Sequence, residues 1–503
     1  MNTPVLIIGG GPVGMTLASE LTRYGIGVRV VDKAAHRTDK SKAMVLWSRT
    51  LELLDRGGAE GSRPFVDAGF KVDGVMFMTN DKVVGRVGMN GVPSPHNYAL
   101  TIPQSETERL LEERLARQGV TVERETEATS IKADPEGADV VLRHADGSEE
   151  TVRTPWLVGC DGAHSAVRHA LDLPFSGETL LSDWFLADVH MTGYPRPDTE
   201  ASIYWHKDGV LIFFPIQPGR YRVIGDLPYT EGSAPPTPTL DQVQALIDRR
   251  GPSSTRVFDP IWLSGFRING RKVERYRHGR VFVAGDAAHI HSPAGGQGMN
   301  TGMQDAFNLA WKLTLVVRGT CADGLLDSYS PERSAVGDEV LKAAGRLTSI
   351  GTLKNPVGQM VRNVAAHVML GLPTVTHAMA DMLSEVVVHY ADSPLNGPHL
   401  RGGLQPGERV RPDGVSRQIG SGTAPKFVLC GHETSEIRTL ISTLGDLVDG
   451  EIRPALQDGA LSLVRPDGYL ACSADDVGTI ETYLGRFALK AEPSTFAHDV
   501  EHA

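Results

Sequence analysis

Apolar residues change period twice near the start of the chain. Pro4-Val-Leu-Ile-Ile8 is a short unbroken run rich in β-branched residues, the pattern of a strand buried on both faces. From Met15 to Tyr24 the spacing becomes helical, with Leu17, Ala18 and Leu21 on one side and Gly25 as a C′ stop. Val28-Arg-Val-Val31 returns to strand and ends at Asp32. Farther on, helical spacing starts near Ser48, and again at Ser105, which reads as an N-cap with Glu108 completing a capping box. Residues 156–160 and 281–284 are further buried-strand runs. Between Glu178 and Gly270 the pattern is β, at 201–205, 210–215, 221–224 and 256–267, interrupted by one helix at 240–249. Residues 355–392 are helical and apolar, broken at Pro373. A Gly/Pro-rich linker at 395–407 follows. The remainder reads strand 426–430, helix 434–447, strand 460–464, an Arg465-Pro-Asp-Gly468 turn, strand 469–472 and helix 475–487.

The junctions between these elements carry the chemistry. Gly9-Gly-Gly11-Pro12-Val-Gly14 joins the first strand to the first helix. Gly9 permits the tight turn, Gly11 lets backbone N–H groups approach a pyrophosphate, and Gly14 lets helix and strand pack closely. The helix N-terminus adds positive partial charge, and Asp32 stands at ribose spacing. Strand, glycine turn, helix, second strand and acid in this order predict dinucleotide binding. A nicotinamide dehydrogenase would continue with further βα units; this chain runs instead into 41–54, where Lys42 and Arg49 suit a phosphate or flavin contact or, equally, a solvated helix face. Asp161-Gly162 turns into a short helix. Gly285-Asp286 ends a strand, and the loop from Pro293 to Asn300 leads into a long helix. Gly295, Gly296 and Gly298 cost conformational entropy there unless backbone passes tight against a ligand.

Composition narrows the field. At about 150 residues per domain, 503 residues allow roughly three domains. With 41% hydrophobic and 22% charged residues the chain is ordinary globular material. A formal charge of −11 argues against a protein built to hold nucleic acid or an anionic membrane. No apolar run reaches the roughly 18 residues of a membrane span, and no basic region precedes the first strand, so a cytoplasmic protein without signal peptide is expected. Cys160, Cys321, Cys430 and Cys472 are scattered, with no Cys-x-x-Cys pair, and no metal site is expected.

Together, the Gly9/Gly11/Gly14 turn, Asp161-Gly162, and Gly285-Asp286 with its glycine loop resemble the single-component FAD-dependent aromatic hydroxylases, of para-hydroxybenzoate, phenol and aromatic polyketide hydroxylase type, over roughly residues 4–345. The resemblance implies an α/β fold: a Rossmann-like FAD domain in two parts (1–177 and 276–395), an inserted β-sheet substrate domain (178–275), and a thioredoxin-like C-terminal domain (404–495). Lacking Cys-x-x-Cys, that last unit is expected to be structural and a candidate for homodimer formation. FAD would be reduced by NADPH or NADH, O₂ would add at flavin C4a, and a phenolic or polyketide-type ring would be hydroxylated. Pro12 and Lys33 would join the glycine turn and Asp32 at the adenosine end. Lys42, Arg49 and Gln104 would contact FAD, with Lys42 standing where the family commonly has Arg. Asp161 would lie near the nucleotide and the pyridine cofactor's path, and Gly285 and Asp286 near the ribityl or phosphate region of FAD. Pro293, Gly296 and the N–H groups of Gly298, Met299 and Asn300 would face the flavin ring. The sheet would supply a substrate wall from Trp47, Tyr204, Trp205, Phe213, Phe214 and Pro215, with Pro293 opposite. His96, His206 and Tyr221 are polar candidates, His289 reads as a packing residue, and no catalytic base is assigned. No second G-x-G-x-x-G set is present, which argues against two-dinucleotide flavoproteins. A halogenase or reductase of the same architecture is the alternative, although the halogenase Trp-x-Trp-x-Ile-Pro element is missing. A non-catalytic FAD-binding protein is the remaining rival.

Overall fold

Val5–Ile8 lies near the middle of a six-stranded sheet because it has apolar neighbours on both edges and both faces. Val28–Val31 pairs with it on one side and Trp156–Gly159 on the other, both parallel, and Val281–Val283 extends the sheet beyond Trp156–Gly159. The computed structural model describes residues 4–58, 61–79, 81–232, 235–412 and 417–488; the end of the expected C-terminal unit, 489–495, lies outside them. The Pro12–Arg23 helix starts on a proline whose fixed φ suits the first turn, and it packs against the long Gly298–Val317 helix. The capping box expected at Ser105 and Glu108 is absent. The Gln104–Arg117 helix begins two residues earlier, behind Pro103, and Glu108 instead accepts from the Gln104 side chain.

A second, eight-stranded sheet runs His289–Ile290, Arg256–Lys272, Ser176–Thr192, Arg220–Leu227, Gly209–Gln217, Glu200–His206, Gly74–Thr79, Lys82–Gly88. It is antiparallel except where Glu200–His206 lies parallel to Gly74–Thr79. Two of its strands therefore come from the stretch that sequence reading assigned to the first part of the FAD domain. Nothing in the period of 74–88 says which sheet it will join. A fully buried bidentate pair, Arg222 with Asp188 at 2.7 and 2.9 Å, ties this sheet to the rest, since Arg222 also donates to the Lys42 carbonyl at 3.1 Å.

The helical stretch after the long helix divides at Pro373 into Pro356–Met369 and Pro373–Leu383. Beyond it, Val428–Cys430, Leu461–Val464 and Leu470–Ala474 form an antiparallel three-stranded sheet with the Ser435–Thr443 and Val477–Gly485 helices. This unit shares one apolar core with Tyr24, Trp311 and Leu315 of the nucleotide fold. All four cysteines are buried and free. No helix of the described residues is long and apolar enough to cross a membrane.

A charge cluster closes the same seam. Glu332 takes Lys312 Nζ at 2.7 Å and both terminal nitrogens of Arg465 at 2.7 and 2.9 Å, and Arg465 reaches Asp467 at 2.6 Å. Trp311 Nε1 donates to Asp467 at 3.1 Å. Burial would raise the Glu332 carboxyl pKa; Arg465 and Lys312 reverse that and hold it well below the ordinary range. Arg465→Ala strands two carboxylates in the interior. It should lose about 3–5 kcal/mol of unfolding free energy in a denaturant titration, with Arg465→Lys recovering part.

Candidate active site

The glycine turn is built by steric necessity. Gly9 has φ +109°, and a Cβ there would come within 2.2 Å of the Cys160 carbonyl oxygen; one at Gly14 would come within 1.9 Å of the Gly9 oxygen. Gly11 differs, because a Cβ on it would meet nothing within 4 Å. It caps the Pro12–Arg23 helix with no side-chain acceptor, so the first N–H groups of that helix face open space. Asp32 accepts from the backbone N–H of Gly10 at 2.6 Å and of Ala34 at 2.7 Å, which fixes its carboxylate at the lip of the turn. Lys33 and Lys42 are exposed. Asp161 uses Oδ2 to accept from Ala166 and Val167 N–H at 2.6 and 3.3 Å, while its Oδ1 is buried without a protein partner; burial pushes this carboxyl's pKa up. An uncapped helix N-terminus, clear space at Gly11 and an orphaned carboxylate oxygen fit a dinucleotide.

Two of the expected contacts are engaged within the chain. Gln104 accepts from Ala43 N–H at 3.1 Å and donates to Glu108 at 2.9 Å. The Arg49 guanidinium pairs with Glu52 at 3.0 Å, donates to the Asp467 carbonyl at 2.7 Å and lies 4.9 Å from the Tyr469 ring centre. Arg49 thus serves the seam with the C-terminal unit, a use that helical spacing alone does not reveal.

At the end of Val281–Val283, Gly285 takes φ +59° and its N–H donates to Asp305 at 3.0 Å. Asp286 is solvent-exposed, and the protein around it pushes its carboxyl pKa up. Asp305 also takes His289 Nε2 at 2.8 Å and Arg333 Nε at 2.6 Å. Burial would raise its pKa, and the charges of Arg333 and His289 bring it below the ordinary value. His289 is a packing residue in this cluster. The loop from Pro293 runs through Gly296 at φ +64° into Gly298 and half-buried Met299, the first turn of the long helix, again without a side-chain cap. Asn300 stitches this turn down: its Oδ1 accepts from Trp47 N–H at 2.8 Å and its Nδ2 donates to the Val45 and Gly296 carbonyls at 2.8 and 3.1 Å. Trp47 Nε1 in turn donates to Gly295 at 3.0 Å.

Behind this loop lies an apolar cavity of about 130 Å³ between the eight-stranded sheet and the 292–295 segment. Trp47, Trp205, Phe214 and Pro293 line it. Tyr204 and Pro215, expected on this wall, are not there, and neither is Phe213. Alternate residues of a strand point to opposite faces, so Ile203, Trp205, Ile212 and Phe214 face the cavity while Tyr204 and Phe213 pack in the cluster behind the sheet. Pro215, paired with Tyr221, follows Phe213 to that side. Among the described lining residues none is ionisable, and the hydroxyls of Ser292 and Thr348 are bonded to each other at 2.7 Å. The polar candidates lie elsewhere: His96 pairs with Asp55 at 2.6 Å, Tyr221 donates to Asp198, and His206 lies 3.4 Å from Asp208.

One ionisable group near the cavity gave no sequence signal. Glu385 follows the lining residues Met382 and Leu383, is buried, and holds φ +60°. It accepts from Thr301 Oγ1 at 3.0 Å and from Gln304 Nε2 at 2.5 Å, both on the long helix. Burial drives its pKa up to about 8 despite Arg333, so it is protonated at neutral pH.

Comparison with known proteins places this geometry. The family described as "FAD binding domain" matches residues 2–344. A 6-methylpretetramide 4-monooxygenase of Streptomyces rimosus is 35% identical over 522 residues, covering 94% of this chain and 91% of its own length. A Bacillus subtilis (strain 168) protein named as an uncharacterized aromatic compound monooxygenase is 35% identical over 490 residues, covering 94% and 95%. Among solved structures, an anhydrotetracycline hydroxylase from Streptomyces rimosus superposes with TM-score 0.79 at 29% identity, covering 96% of this chain and 98% of that one.

The raised Glu385 pKa makes stability pH-dependent. Between about 4.5 and about 8 the native carboxyl keeps a proton that the unfolded chain has released, so stability falls as pH rises through that window. Glu385→Gln should flatten the melting temperature against pH profile between about pH 5 and pH 8.

Proposed function

The chain belongs to the single-component FAD-dependent aromatic hydroxylases, and from that premise we propose that its apolar cavity holds a phenolic or polyketide-type ring for hydroxylation with NAD(P)H and O₂. The observation that carries this is one loop with two duties: residues 293–295 wall the cavity and lead directly into the uncapped start of the Gly298–Val317 helix. A ring in the cavity therefore lies beside whatever that helix terminus holds.

Bound FAD, once reduced by NAD(P)H, supplies the activation of O₂ and the delivery of one oxygen atom. The chain's own residues hold the partners in place. Gly11 and the first turn of the Pro12–Arg23 helix would take the pyrophosphate, with Asp32 at the ribose, Asp161 near the nucleotide and Asp286 at the ribityl or phosphate region. N–H groups of Gly298, Met299 and Asn300 stabilise negative charge at the flavin's pyrimidine edge. Trp47, Phe214 and Pro293 hold the substrate ring flat and keep water away. With no ionisable group among the described wall residues, ring positioning and the substrate's own electron-rich hydroxyl carry the selectivity, and a protein base is not required. The C-terminal unit, 404–495, is read as thioredoxin-like and structural, bracing the long helix rather than carrying electrons.

Purified protein should show flavin absorbance, and NAD(P)H oxidation in air should accelerate with one class of aromatic compound, its product gaining one atom of ¹⁸O from ¹⁸O₂. Flavin reduction without oxygen incorporation into any phenol or multi-ring substrate would overturn the reading. Gly11→Val should weaken FAD binding by roughly tenfold or more with little loss of thermal stability, since the fold leaves room for the side chain but the pyrophosphate does not.

A further inference from the structure

The apolar cavity is small for a multi-ring compound. Its volume of about 130 Å³ is close to the roughly 150 Å³ of an engineered cavity that admits benzene, which is room for a single ring. Trp205 and its surroundings divide it from a second chamber of about 380 Å³ with a different character. Thr79, His206, Lys207, Gln359 and Arg362 line that chamber, and Trp205 is common to both.

Arg362 is the unusual member. It is half-buried on the Pro356–Met369 helix, and no carboxylate among the described residues pairs with it, whereas Arg86, Arg222 and Arg250 of the neighbouring sheet region each have one. Its guanidinium lies 4.7 Å from the Trp205 ring centre, an arrangement that fixes the plane. Nε donates to Asn363 at 3.1 Å and Nη1 to the Ile350 carbonyl at 3.1 Å. Ile350 itself lines the apolar cavity, so the cation is one hydrogen bond from the ring site. Among the described residues its Nη2 has no acceptor. Burial pushes the pKa down with nothing opposing it, a cost that a counter-anion would remove. None of the described lining residues is acidic, and Asp208, next in sequence to the lining residue Lys207, is paired with Arg249 at 2.7 Å and lies 3.4 Å from His206. A second polar atom, Thr79 Oγ1, is buried there without a partner.

Resting on the reading of the apolar cavity as the ring site, we propose that the polar chamber receives an acidic oxygen substituent of the same substrate, ionised at neutral pH, with Arg362 as its counter-ion. The substrate class is therefore an aromatic acid longer than one ring, its reacting ring in the apolar cavity and its anionic end beyond Trp205. A planar fork held against an indole suits two parallel bonds to a carboxylate, and Lys207 adds positive potential at the mouth.

The test uses FAD-loaded enzyme and hydroxynaphthoates, each paired with its neutral carboxamide. Binding is read at equilibrium from the perturbation of flavin absorbance, and turnover from NAD(P)H oxidation and product. Wild type should bind the preferred acid roughly tenfold or more tightly than its amide. Arg362→Gln should raise the acid's dissociation constant roughly 10- to 100-fold and the amide's by less than about threefold, with Arg362→Lys recovering part of the difference. Melting temperature and flavin content of both variants establish that the fold persists. Equal losses for acid and amide, or no preference for acids in wild type, would overturn the assignment. The two readings fail separately. If acids bind through Arg362 but no aromatic is oxygenated, the chamber stands and the hydroxylase reading falls. If neutral phenols are oxygenated while acids bind no better, the chamber assignment alone falls.

Discussion

Removing a charge from water costs several kcal/mol unless a partner replaces the solvent, and this fold commits four such charges to one place. Glu332, Asp467, Lys312 and Arg465 are buried together, two of each sign. None can leave without stranding the others. Lys312 sits on the helix that starts at the active-site loop, Glu332 on the next helix, and Arg465 and Asp467 on a turn of the C-terminal sheet. The far unit is therefore docked by an electrostatic constraint as well as by the apolar core around Trp311. Arg49 and Glu52 extend the seam, and Arg409 reaches Glu52 from the other side at 2.7 Å. What holds the C-terminal unit in place also holds the long helix that follows the loop walling the cavity.

Legibility in the sequence followed the range of the interactions involved. The glycine turn was readable because its requirements are local: a positive φ at Gly9 and two impossible Cβ positions depend on atoms of the same βα unit and one neighbouring strand. Gly285-Asp286 and the glycine loop were readable for the same reason. The second sheet was only half visible, because the strands at 74–88 enter it through a pairing with Glu200–His206 that no period encodes. Side-chain direction was lost at Tyr204 and Pro215, where aromatic composition pointed to a wall and strand parity decided otherwise. Arg49 looked like a cofactor ligand because a cation beside a nucleotide fold usually suggests one; its partner, the Asp467 carbonyl, is more than four hundred residues away. Glu385 could not be found at all, since a single acid after an apolar helix reads as a surface group until the helix it meets is known.

The two chambers divide the labour in a way the chemistry favours. A dry apolar compartment strengthens every interaction at the reacting ring and keeps bulk water from it. Polar recognition there would need desolvated groups with no partner before substrate arrives. The chain instead keeps Arg362, a cation with no carboxylate partner among the described residues, on the far side of an indole, where solvent reaches it in the free state. Asn300 and Trp47 then fix the near wall to the loop, so the spacing between ring and helix terminus is set by hydrogen bonds from two buried side chains to backbone groups.

The buried cysteines bear on how such a catalyst ages. Any oxygen-activating flavoprotein that turns over without capturing its substrate releases hydrogen peroxide into its own surroundings, and the first casualty is ordinarily a thiolate. Here burial pushes Cys321, Cys430 and Cys472 up to about 12 and Cys160 higher than its usual range. At neutral pH these sulfurs are thiols shielded by packed side chains, poor targets for peroxide and for alkylating reagents alike. The cysteines are thereby protected from the enzyme's own by-product, and a single cysteine introduced on the surface would be the one position a maleimide dye reacts with.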